Sequence, residues 1–147
     1  IPRPHPRTKD NFKEEMIPWQ EAIAELKVGT PVFDFFGQTD TPSLLAAADL
    51  VISMYSTILV EAAALHKSNI SVLYPRVMDD LRSGTAFQEF PLVELGCSAK
   101  AADFSSLCEL LARSLRGDLG LKEAQEKNFR LDGKNAERVA RFIENLK

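Results

Sequence analysis

Short unbroken apolar runs alternate along this chain with segments in which apolar residues recur every three or four positions. The first pattern predicts buried strands and the second amphipathic helices. Strands are expected at residues 31–36 (PVFDFF), 50–53 and 70–74, with a short one at 92–95. Residues 50–53 show no polar alternation, as in a strand covered on both faces. Helices are expected over 10–27, with Pro18 as a kink or restart, and over 41–48, with Thr41 as N-cap and Pro42 in the first turn. Further helices are expected over 57–66, 103–116, 121–130 and 134–146, the last with Ala136, Val139, Ala140, Phe142, Ile143 and Leu146 at helical spacing. The first seven residues, IPRPHPR, read as a strand end running into a proline-stiffened loop. Residues 75–90 carry turn formers and charges and are expected to be a loop with at most a helical turn.

Strands alternating with helices predict an α/β fold: a Rossmann-like parallel sheet flanked by helices, joined by right-handed crossovers. In such sheets ligands bind beyond the carboxyl ends of the strands. The segments 4–7, 37–40, 55–57 and 74–76 each follow a candidate strand, so all four are expected on one rim. The 147 residues are expected to form a single domain, 1–147.

Composition narrows the class. A hydrophobic fraction of 45% and a charged fraction of 27% are those of a globular protein, and a net charge of −3 supplies no general attraction to nucleic acid. No run of about 18 apolar residues predicts a membrane span, and no signal peptide is legible. Cys97 and Cys108 have neither metal-site nor disulfide spacing and read as buried thiols in a reducing compartment. A cytoplasmic location is expected, peripheral to the inner membrane through a larger parent. The start at Ile1-Pro2-Arg3, without methionine, is the expected look of a piece cut from a longer protein.

The candidate chemistry centres on ADLVISMYSTILVEAAAL, residues 48–65: a strand, a tight turn at Tyr55-Ser56-Thr57, then a helix. Ser and Thr cap helix N-termini, and such an end carries free N–H groups and partial positive charge suited to phosphate. Both hydroxyls would serve as caps without any ligand. Glu61, one turn on among apolar neighbours, should be exposed or have a specific partner. The combination points to a nucleotide diphosphate, with hydroxyls and N–H groups for phosphate and a carboxylate for ribose hydroxyls. Trp19 and Phe33, Phe35 and Phe36 are expected in the core. Arg3, Arg7 and Lys9 concentrate positive charge near the start.

Four ordered features resemble the carboxy-terminal, donor-binding half of GT-B glycosyltransferases and their relatives. These relatives are the CDP-glycerol glycerophosphotransferases, bacterial sialyltransferases and UDP-N-acetylglucosamine 2-epimerases. The features are His5-Pro6 in RPHPR, the strand and turn ADLVISMYST, Glu61-Ala62 on the next helix, and the closing segment LDGKNAERVARFIENL. The resemblance implies a nucleotide-sugar donor, CMP-, CDP- or UDP-linked, as substrate, and no resident cofactor or metal. It implies that His5 contacts a donor phosphate and stabilises the leaving group. Ser56 and Thr57 would bind phosphate, Glu61 the ribose hydroxyls, and Gly37 and Gln38 the border of the base. Arg7, Tyr55 and Arg76 complete the expected nucleotide site, Arg76 as a neutralising charge on the diphosphate. The catalytic base would come from a missing amino-terminal domain, so the chain alone is expected to bind weakly and turn nothing over. The role implied is surface polysaccharide biosynthesis. Two other readings stay open: half of a UDP-sugar 2-epimerase, and a non-catalytic α/β interaction module.

Overall fold

The computed structural model describes residues 12–26, 39–117 and 119–146. The chain divides into two compact units, Ile1–Leu44 and Leu45–Lys147. In the first, helix α1 (Phe12–Leu26) runs through Pro18, and Trp19 is 49% exposed rather than the core residue expected. Helix α2 (Thr41–Ala47) begins where predicted, but its cap differs. Thr41 is already helical, and the Asp40 carboxylate accepts from the Ser43 amide at 2.9 Å. Asp40 therefore does the work expected of Thr41. The strand expected at 31–36, with its three phenylalanines, lies outside the described residues, as does the segment 1–11.

The second unit is an α/β layer structure. A parallel sheet runs in the order β1 (Leu50–Ser53), β2 (Ser68–Val72), β3 (Ala99–Ala101). Helix α3 (Thr57–Ala64) makes the crossover from β1 to β2. Helices α4 (Pro75–Gly84) and α5 (Pro91–Glu94) lie between β2 and β3. Helices α6 (Phe104–Ser114), α7 (Lys122–Asn128) and α8 (Asn135–Glu144) follow. The Rossmann-like α/β class read from the alternation of patterns is the class observed.

Side-chain alternation along the strands builds two cores, one on each face. On one, Leu59, Ala62 and Ala63 of α3 pack with Val51, Leu73, Met78, Leu81, Leu92 and Cys97. On the other, Ile70, Ala101, Leu119 and Leu121 pack with Leu107, Leu110 and Leu111. Helix α6 covers β3 and β2 on this second face. Ile52, level with Ile70 in the pairing register, is left 45% exposed. The expectation of a β1 covered on both faces is thus corrected, because no described element covers Ile52.

Three further expectations are corrected. The loop read at 75–90 contains α4, a ten-residue helix. Pro75 fits its first turn, where no N–H is needed, and Met78 and Leu81 turn inward while Asp79 and Asp80 face solvent. The strand read at 92–95 is a single helical turn: Leu92 is buried, but Leu95 is 48% exposed. The strand in that region is β3, whose three residues Ala-Lys-Ala carry no β-branched or aromatic signal. Of the two thiols expected to be buried, Cys97 is and Cys108 is not.

The amino ends of β2 and β3 are tied by buried amides. Asn69 Nδ2 donates to the Lys67 and Cys97 carbonyls at 3.1 Å each. Gln125 Nε2, from α7, donates to the same two oxygens at 3.0 and 3.1 Å. Beside them the Ser71 and Ser98 hydroxyls share a hydrogen bond of 2.6 Å. This network satisfies the Asn69 amide nitrogen and the Ser71 hydroxyl that β2 buries, while Asn69 Oδ1 has no hydrogen-bond partner among the described residues.

Helix α3 ends in a Schellman turn: the His66 amide donates to Ala63 and the Lys67 amide to Ala62. His66 occupies the left-handed position at φ 54, where glycine is usual. Lys67 then reaches back to the Ala46 carbonyl at 2.6 Å, placing a positive charge at the end of α2.

Two stability predictions follow from these contacts. Gln125→Leu removes two buried donors at nearly constant volume and should cost about 1–3 kcal/mol, read as a lower urea midpoint at unchanged m-value. His66→Gly should raise stability by about 0.5–1 kcal/mol, the left-handed penalty relieved less the entropy of glycine in the unfolded chain. An unchanged or lower midpoint would refute the second prediction.

Candidate functional site

Parallel pairing puts the carboxyl ends of β1, β2 and β3 on one edge, and each leads into the start of a helix. The segments 55–57 and 74–76 therefore do share a rim. After Ser53 the chain turns through Met54 and Tyr55, and Ser56 becomes the N-cap of α3 in extended geometry. Its Oγ accepts from the Ile58 amide at 3.4 Å, a long contact that leaves the hydroxyl weakly committed. The Leu59 amide is taken by the Ser56 carbonyl at 3.0 Å. Thr57, the first helical residue, is exposed, and so is Glu61. At a spacing of four these two side chains share one face of α3. Glu61 is thus the solvent-facing carboxylate of the two alternatives set out for it.

After Val72, Leu73 is tied across to the Ala101 carbonyl at 2.8 Å, and Tyr74 becomes the N-cap of α4. No side chain caps this helix. Arg76, in its first turn, is exposed. The start of α4 thus has no side-chain cap and carries Arg76 in its first turn.

The third helix of the rim is closed. Asp103 and Ser106 form a capping box: the Ser106 amide donates to Asp103 Oδ1 at 2.7 Å, and Ser106 Oγ accepts from the Asp103 amide at 3.0 Å. The backbone bond from Ser106, aided by its hydroxyl, holds the Asp103 carboxyl below the usual carboxylate range. A fixed negative charge occupies the position an anionic ligand would take, so α6 is the wrong helix for phosphate. The three helix starts differ in kind: α3 loosely capped by a hydroxyl, α4 uncapped, α6 filled by a carboxylate. The absence of a side-chain cap on α4 and the closure of α6 were not read from sequence, although Asp103 followed three residues later by Ser106 was an available signal.

Of the other expected site residues, His5, Arg7, Gly37 and Gln38 lie outside the described residues, so their relation to Tyr55, Ser56, Thr57, Glu61 and Arg76 is not part of this geometry. A cavity of about 430 Å³ lies instead by the amino end of β2, lined by His66, Ser68, Lys122 and Gln125 among others. It contains none of the expected site residues. Among the described residues, no group of His, Cys, Asp or Glu side chains is arranged to hold a metal ion. Nor is any helix there long and apolar enough to cross a membrane.

The Asp132-Gly133 pair that opens the closing segment has a local role. Asp132 Oδ1 accepts from the Lys134 amide at 3.0 Å, and both carboxylate oxygens accept from Arg138 Nη1, at 3.0 and 2.7 Å. Gly133 between them sits at φ 71, a conformation glycine adopts without steric cost. Asp132 thus supplies an acceptor at the start of α8, whose nominal cap, Lys134, has none.

Comparison with family models, with curated proteins and with solved structures returned no match to this chain.

The Asp132 contact generates a pH prediction. The Arg138 hydrogen bonds, with help from the Lys134 amide, lower its pKa from 3.8 to about 2. A depressed carboxyl stabilises the fold fully above its unfolded value and loses that effect as pH falls through its folded one. The start of α8 should keep its helical amide shifts down to pH 4 and lose them between pH 4 and 2 in an NMR titration. Asp132→Asn should show the frayed shifts already at pH 6.

Proposed function

We propose that this chain binds a nucleotide sugar, as the donor-binding half of a GT-B-type glycosyltransferase used in surface polysaccharide synthesis. The observation that carries the reading is the β1–α3 junction. A helix N-terminus at the carboxyl edge of a parallel sheet presents Ser56 and Thr57 there, with Glu61 on the Thr57 face. Four helical residues rise about 6 Å, which suits a phosphate at the hydroxyls and a ribose at the carboxylate.

In this reading the distal phosphate of a diphosphate reaches the uncapped start of α4, where Arg76 offsets its charge. Tyr55 borders the same turn. The capping box keeps ligand away from α6. The chemistry is stabilisation of a leaving nucleotide: its negative charge grows as the glycosidic bond breaks, and preorganised N–H and O–H dipoles meet that charge without reorganising. A companion amino-terminal domain supplies the acceptor site and the base, so this chain alone turns nothing over.

One observation favours a second reading, a non-catalytic α/β interaction module. Ser56 already has an acceptor role within its own helix, and Glu61 is solvent-exposed. On that reading neither residue has a ligand.

Titration with CMP, CDP and UDP at millimolar concentration, followed by amide chemical shifts, separates the two. The donor-binding reading expects shifts at Ser56, Thr57 and Glu61, with Arg76 responding to CDP or UDP more than to CMP. Ser56→Ala and Glu61→Ala should each weaken binding roughly tenfold, about 1.4 kcal/mol. Ser56→Ala should also cost about 0.5–1 kcal/mol of stability through the lost cap. Absence of any shift with all three nucleotides, while Ser56→Ala still lowers stability, would exclude the donor-binding reading in favour of the module. A response to UDP alone would transfer the assignment to the epimerase relatives.

A further inference from the structure

We draw no further inference here: the strongest candidate, the exposed apolar face of α8 formed by Val139, Phe142 and Ile143 and continued by Leu146, carries nothing because no observation in the structure shows what covers it.

Discussion

The second unit depends on the amide clasp at the amino ends of β2 and β3. A parallel sheet of three short strands has few ladder bonds, and β2 carries Asn69 and Ser71 at positions with no access to water. Such groups weaken a fold unless they are bonded. Asn69 and Gln125 between them direct four N–H···O contacts onto two carbonyls, Lys67, one residue before β2, and Cys97, two residues before β3. One set of bonds therefore fixes the relative start of both strands and seats α7 against them. Once those starts are fixed, the opposite ends are fixed too, and with them the positions at which α3, α4 and α6 begin.

The rim inherits its chemistry from this arrangement. All three strands point the same way, so three helix dipoles present positive ends on one edge. Their caps then differentiate them. An internal carboxylate neutralises α6, a serine hydroxyl loosely closes α3, and α4 is left with a nearby arginine. The proposed anion site rests on the last two, for electrostatic reasons that do not depend on the ligand's identity. That the proposed anion is a nucleotide rests on the spacing of Thr57 and Glu61 and on the resemblance of the surrounding segments.

Away from the rim, an ion pair between Glu89 and Lys100 ties the region around α5 to the sheet. Burial pushes the Glu89 carboxyl up, but hydrogen bonds from Lys100 and the Phe90 amide, with the charges of Lys100 and Arg82, outweigh it and hold the group below its ordinary value. Lys100 lies on β3, so this contact links the turn before α5 to the sheet. It helps to explain how a strand as unpromising as Ala-Lys-Ala is held in place.

Local sequence determined what depends on neighbours within a few residues. Unbroken apolar runs marked β1 and, two residues late, β2 (Ser68–Val72 against the expected 70–74), and helical spacing marked α3 and α6. Asp103 marked the start of α6, and the Ser56-Thr57 pair marked the start of α3. These signals are legible because caps and helical stripes are satisfied within one or two turns. Tertiary structure decided the rest. Leu92–Leu95 has strand-like composition but becomes one helical turn, because Leu92 packs into the first core while Leu95 faces water. Ala99–Ala101 has no strand signal yet becomes β3, because its partner lies some thirty residues earlier. Asn69 and Gln125 looked like ordinary polar residues until the fold brought them to the same two carbonyls. Pattern alone can say which residues prefer to be buried or to cap a helix. It cannot say which distant groups will meet, and in this protein those meetings decide the sheet and the single edge on which the helix starts are gathered.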